Sequence, residues 1–319
     1  MMSGVEIPLI DFSGCAINKV REEENLKRAG QQIINAFETV GFFNVVNHGI
    51  SETEVADIFK ISEEFFALPT EVKVKHRKAK DSNHGYVELE REGLNPEERP
   101  SDLKESFNFT PKSQYKPWPD EELPKFKTTF EKFWDLSSQL TLRILEAMAY
   151  GLDLEPQYLV NTHQLLGKDG NASTLRTMYY PGVPSAASIK ANQVRCGEHS
   201  DFGSITLVYQ REMGGLEVLT HDGRYTPVPY IPGAIVVNIG DLMQRWAADR
   251  LIAAKHRVLF PQDQELLSKA RQSIAFFAQP DDQVMITCLD GSNKYEPIGA
   301  LDYLNMRFGA TYMDLAKGQ

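Results

Sequence analysis

The run Gly197-Glu198-His199-Ser200-Asp201-Phe202-Gly203 constrains this chain more than any other stretch. It sets an imidazole and a carboxylate two residues apart. In an extended segment, side chains at i and i+2 point to the same face. His199 and Asp201 can then grip one cation from one side. A third ligand has to arrive on another strand, and His256 in Lys255-His256-Arg257-Val258 is the candidate. Two imidazoles and one carboxylate on one face leave the opposite coordination positions open, as in non-haem Fe(II) oxygenases.

An H-x-D pair alone is more often an ordinary surface pair, and a lone histidine is more often a packed residue than a ligand. The further element that shifts the balance is Arg271-Gln272-Ser273, downstream of His256. Arg271 and Ser273 again share a face if extended. The guanidinium is a planar fork suited to a carboxylate, and the serine adds a hydroxyl donor. A facial triad beside a carboxylate clamp is what a 2-oxoglutarate site requires. Arg195, just upstream of the metal motif, competes with Arg271 for that role.

With these motifs in this order, the chain resembles the isopenicillin N synthase-like family of Fe(II)/2-oxoglutarate-dependent dioxygenases. The likeness extends along nearly the whole sequence. Ile7-Pro8-Leu9-Ile10-Asp11-Phe12 is similar to the family's opening strand, and Gly41–Ile50 to its "GFF…NHG" signature. Asp102-Leu103-Lys104-Glu105-Ser106-Phe107 is similar to its "DxKExF" stretch.

The resemblance implies a mainly β fold with flanking helices, built on a double-stranded β-helix (jelly roll) core. It implies Fe(II) held by His199, Asp201 and His256, with 2-oxoglutarate and O2 as co-substrates and ascorbate as a stimulant. Arg271, Ser273 and Tyr180 would bind the distal carboxylate, although a strand-end core aromatic describes Tyr180 equally well. Succinate and CO2 are then released while a small organic metabolite is hydroxylated, desaturated or cyclised. Related halogenases have a small residue in place of Asp201, so the aspartate points away from halogenation. Many relatives have Asn two residues before that tyrosine, and this chain has Met178. Asn238 is read as structural support. Arg-x-Ser also occurs in oxidases of the isopenicillin N synthase and aminocyclopropanecarboxylate oxidase type, which use no 2-oxoglutarate. That reading remains open, as does a non-enzymatic metal-containing β-barrel.

Partner classes follow from charge and cysteine usage. A net charge of −10 argues against a nucleic-acid partner. Three scattered cysteines, Cys15, Cys196 and Cys288, argue against a disulfide framework and fit a reducing compartment. No apolar run is long enough to span a bilayer. The expectation is a cytoplasmic monomer acting on a small molecule, with no membrane partner. Residues 1–319 read as a single catalytic domain, with a helix-rich N-terminal region over 1–120 and the jelly-roll core over 170–280.

Along the chain, helical spacing predicts helices over about Glu22–Val40, from Ser51 to about Phe66, over Pro124–Tyr150 and over Glu155–Leu165. Pro124 is placed at the first helical position. His48 reads as structural. Short β-rich runs from Thr174 onward predict the barrel strands. Lys73, Lys75, His76, Arg77, Lys78 and Lys80 read as a solvated basic face. Gly85-Tyr86 and Phe107 are expected over the barrel mouth by resemblance. Phe107, Phe277, Tyr303, Met306 and Phe308 are the candidate substrate wall, with ordinary packing at least as good an account of each.

Overall fold

The computed structural model describes residues 5–79, 82–93, 99–111 and 118–316, with side chains to residue 309. Strands are β1 (Leu9–Asp11), β2 (Phe42–Val46), β3 (Gly85–Val87), β4 (Glu105–Phe109), β5 (Thr174–Tyr180), β6 (Cys196–His199), β7 (Ile205–Gln210), β8 (Leu216–Leu219), β9 (Tyr225–Pro227), β10 (Ile235–Ile239), β11 (His256–Val258) and β12 (Arg271–Ala278). They form an eight-stranded sheet in the order β1-β2-β10-β7-β12-β5-β4-β3 and a four-stranded sheet in the order β6-β11-β8-β9. The non-sequential orders mean that the chain passes repeatedly between sheets, which makes the core a jelly roll. Between them lies an apolar cluster that includes Tyr180, Cys196, Leu216, Val218 and Val236.

Helices cover the outer face of the large sheet. The helix Glu52–Phe66 starts at a capping box: Glu54 N donates to Ser51 Oγ at 3.2 Å and Ser51 N donates to Glu54 Oε2 at 2.9 Å. The helix Glu23–Thr39 ends ahead of Gly41, whose φ of +77° is left-handed and favours glycine. The longest helix, Phe126–Gly151, buries Phe126, Phe130, Phe133, Leu140, Ile144 and Met148 against the sheet and its neighbouring helices.

Several expectations need correction. Pro124 lies before the long helix, in a turn where Phe126 N donates to the Leu123 carbonyl at 2.9 Å. The helix expected over Glu155–Leu165 is only Tyr158–Asn161. Beyond it, Thr162 Oγ1 and His163 Nδ1 both bond the Leu159 carbonyl, which a further turn would need for its own N–H. Lys73 and His76 are buried rather than solvated, and Lys73 pairs with the buried Glu105 at 2.8 Å. Lys80 lies outside the described residues. Tyr86 and Phe107 are core residues, not lid residues. Phe107 is fully buried and meets Phe65 and Phe126 edge-on at 5.1 and 5.0 Å.

Candidate metal centre

The small sheet presents the metal motif. His199 closes β6 and His256 opens β11, and the two residues are register partners. Asp201 lies just past the end of β6, on the loop that crosses to β7. One potential ligand atom from each of the three side chains falls within 4.8 Å of the others. Asp201 Oδ1 is 3.8 Å from His199 Nε2 and 3.7 Å from His256 Nε2.

Neighbouring bonds fix which atoms face inward. Nδ1 of His199 lies 2.8 Å from the Gly197 carbonyl, and Nδ1 of His256 lies 3.2 Å from that of Ala254. A carbonyl only accepts, so each Nδ1 carries the proton and each Nε2 keeps its lone pair for a metal. Oδ2 of Asp201 accepts from Thr206 Oγ1 and Asn238 Nδ2, both at 2.7 Å. Burial, then His256, pushes the His199 pKa down to about 4. Burial raises that of Asp201, but the two imidazoles and its hydrogen bonds hold it below the usual carboxylate value. Two neutral imidazoles and one carboxylate thus suit a divalent cation.

The crossing loop sits against the start of the helix Asp241–Trp246, where Asp241 N donates to the Asp201 carbonyl at 2.7 Å. No side chain fits between them. A Cβ on Gly240 would lie 2.5 Å from both N and O of Gly203.

Arg271 and Ser273 open β12, opposite Tyr180 and Met178 of β5. Arg271 is buried. Its Nε donates to the Gly214 carbonyl at 2.7 Å, one terminal nitrogen donates to Ser273 Oγ at 3.1 Å, and the guanidinium lies 4.9 Å from the Tyr180 ring centre. The Tyr180 hydroxyl is 3.6 Å from the Met178 sulfur, a weak acceptor.

A cavity opens beside His199 and Asp201. Its apolar lining comes from Phe202, Phe277, Leu304 and Phe308. Tyr303 and Met306 do not line it: Tyr303 packs into the core, and Met306 is exposed on the far face of its helix. The polar lining, partly from the wall formed by β4 and β5, had no counterpart among the sequence candidates: Asn83, Glu92, Lys104, Asn108 and Arg176. Lys104 bonds Asp102 at 2.7 Å, and Arg176 pairs with Glu92 and donates to Ser106 Oγ at 2.8 Å. Cys196 also lines the cavity, 3.4 Å from Lys104 Nζ. Alternation along β4 is the signal that could have found this wall, since Lys104, Ser106 and Asn108 share one face and Glu105, Phe107 and Phe109 the other.

Residues 171–280 match the model of the 2OG-Fe(II) oxygenase superfamily, and residues 7–134 match that of the non-haem dioxygenase in morphine synthesis N-terminal region. The chain belongs to the 2OG-Fe(II) oxygenase superfamily. It is 31% identical to the 2-oxoglutarate-Fe(II) type oxidoreductase ppzD of Metarhizium rileyi, over 88% of this chain and 85% of that one. It is 34% identical to the proline hydroxylase buaE of Petromyces alliaceus, over 88% and 93%. Among solved structures it is similar to a full-length Neurospora crassa protein in complex with alpha-KG and thymine. There the TM-score is 0.87 at 32% identity, covering 98% of this chain and 99% of that one. As a member of this superfamily the protein is an oxidoreductase that uses Fe(II) and 2-oxoglutarate on a small organic substrate. No described helix is long and apolar enough to cross a membrane.

Proposed function

We propose that this oxygenase oxidises a small planar ring compound with hydrogen-bonding edges, and that the residues above divide the work as follows. His199, Asp201 and His256 hold ferrous iron, with Asn238 and Thr206 orienting the carboxylate. The bound iron supplies the redox chemistry that couples O2 and 2-oxoglutarate, giving succinate and CO2, to oxidation of a substrate C–H bond. Arg271 and Ser273 hold the distal carboxylate of 2-oxoglutarate, with Tyr180 beside them. Phe202, Phe277 and Phe308 offer ring faces for stacking. Asn83, Asn108, Lys104 and Arg176 offer polar partners for the ring edge.

The observation that carries this reading is a cavity beside His199 and Asp201 of the triad, lined by both aromatic and polar side chains. The likeness to the Neurospora crassa protein, whose structure holds thymine, supports a substrate of nucleobase size. The test is a panel of nucleobases and cyclic amino acids, read by substrate-stimulated succinate release. Oxygen uptake without succinate would instead favour an oxidase of the isopenicillin N synthase type. If no member of the panel stimulates turnover, the planar-ring assignment fails.

We further propose a single catalytic domain over 1–319, supported by β1 to β4 sharing one sheet with the barrel strands. The N-terminal region over 1–120 and the core over 170–280 would then unfold together. We also propose a cytoplasmic monomer acting on free metabolites: the net charge of −10 supports a substrate other than nucleic acid, and the free cysteines Cys15, Cys196 and Cys288 support a reducing compartment. Light scattering checks the monomer.

A further inference from the structure

A buried guanidinium normally faces an acid, because an unpaired buried charge is strongly unfavourable. This barrel holds two that do not. Arg195 is 0% exposed and Arg271 is 3% exposed. Arg195 donates from one terminal nitrogen to the Lys269 carbonyl at 3.2 Å and lies 5.6 Å from the Phe260 ring centre. Its Nε and other terminal nitrogen are buried with no hydrogen-bond partner. Among the described residues, Arg271 hydrogen-bonds only to the Gly214 carbonyl and Ser273 Oγ. Among the described residues no carboxylate pairs with either arginine.

The two arginines meet at the start of β12. Lys269, which accepts from Arg195, stands two residues before Arg271 at the entry to β12. Burial, then the charge of Arg271, pulls the Arg195 pKa down to about 10, so the guanidiniums feel one another. From Tyr180, under Arg271, an apolar cluster that includes Cys196, Val218 and Phe42 leads inward. Phe42 meets the His256 ring edge-on at 5.3 Å. An anion at the arginines, a short apolar spacer and a metal-binding end match the layout of a dicarboxylate keto acid.

We propose that Arg195 is a second binding guanidinium for the distal carboxylate, so that an arginine pair, not Arg271 and Ser273 alone, holds 2-oxoglutarate. The inference rests on the co-substrate reading above. The pair concentrates charge at the distal end, so the site discriminates sharply against keto acids that lack a second carboxylate. Without a ligand the pair is self-repelling, and binding relieves it.

The experiment measures binding, not turnover. The full chain is loaded with Mn(II) and titrated calorimetrically with 2-oxoglutarate and with 2-oxobutyrate, which keeps the keto-acid end and lacks the distal carboxylate. Arg195→Gln should weaken 2-oxoglutarate binding roughly tenfold to a hundredfold, as for loss of one charge-assisted bond. Its affinity for 2-oxobutyrate should match wild type. Without ligand, Arg195→Gln should melt no lower than wild type, since a like-charge contact is removed. Wild-type affinity for 2-oxoglutarate, or an equal loss for both acids, overturns the proposal. Should Arg195→Gln not fold, Arg195→Lys decides by the same comparison: a loss confined to 2-oxoglutarate supports it, and no loss or an equal one overturns it. If wild type binds 2-oxobutyrate and not 2-oxoglutarate, the co-substrate reading itself falls, and this inference with it.

Discussion

Nδ2 of Asn238 donates to Oδ2 of Asp201 at 2.7 Å, leaving Oδ1 of the same carboxylate toward both imidazoles. Asn238 touches no metal position. It selects which oxygen does, and Thr206 Oγ1 repeats the selection from β7.

Asn238→Ala should therefore weaken metal binding without abolishing it. Loss of such an orienting partner typically costs tenfold to a hundredfold in affinity. Asp201→Ala sets the floor, since two neutral imidazoles supply no negative charge. Mn(II) titration of the three proteins checks the order. Equal affinity in wild type and Asn238→Ala would show that Thr206 alone suffices.

Much of this centre was legible because its parts are local. H-x-D and R-x-S each need only an extended backbone, and strands such as Thr174–Tyr180 and Ile205–Gln210 fell where β-rich runs met turn residues. The capping box at Ser51 was equally readable, being four residues long. What was not legible depended on which face a strand turns inward. Phe107 was expected at the substrate, yet on β4 it occupies the helix-facing phase with Glu105, while Lys104 and Asn108 take the cavity phase. The basic cluster hid Lys73, which is buried because Glu105, far along the chain, meets it. A tertiary ion pair leaves no periodic trace.

Acid sensitivity should come from His163. Its ring bridges the Leu159 carbonyl and Ser204 Oγ, both at 2.8 Å, and burial pushes its pKa down to about 4. The unfolded histidine titrates near 6.5. Above that pH both states are neutral and the shift has no effect. As pH falls from 6.5 toward 4 the unfolded state takes a proton that the folded state refuses, so stability declines by about 1.4 kcal/mol per pH unit. Below 4 the loss levels off. Denaturant melts of the metal-free protein across this window should show a shallower decline in His163→Gln than in wild type. Parallel curves would assign the acid loss elsewhere, with His84 and, in the metal-free protein, His199, both also pushed down to about 4 by burial, the next residues to test.

Arg271→Lys keeps a positive charge and loses the fork. The bond from Nε to the Gly214 carbonyl at 2.7 Å, which aims the guanidinium, goes with it. A charge-assisted bond is worth about 1.5–3 kcal/mol, so 2-oxoglutarate affinity should fall roughly tenfold to a hundredfold. Metal affinity should not change, because Arg271 is no ligand. Anaerobic titration, following the Fe(II)–keto acid absorption band, measures the first, and Mn(II) titration the second. A variant that loses metal and keeps 2-oxoglutarate would reverse the assignment.

Gly240→Ala tests whether backbone packing, not side chains, holds the aspartate in place. The added Cβ would meet Gly203 N and O at 2.5 Å and the Asp201 carbonyl at 3.0 Å, all backbone atoms with no rotamer to yield. The loop must move outward. The bond from Asp241 N to the Asp201 carbonyl, 2.7 Å in the native packing, then stretches or breaks. His199 and His256 are paired across β6 and β11 and do not depend on this contact, so the imidazoles stay together while the carboxylate leaves them. The expected result is a sheet signal by circular dichroism like that of wild type, with metal affinity reduced toward that of Asp201→Ala. Native metal affinity in Gly240→Ala would mean that the bonds from Thr206 and Asn238 hold the carboxylate even when its backbone is displaced.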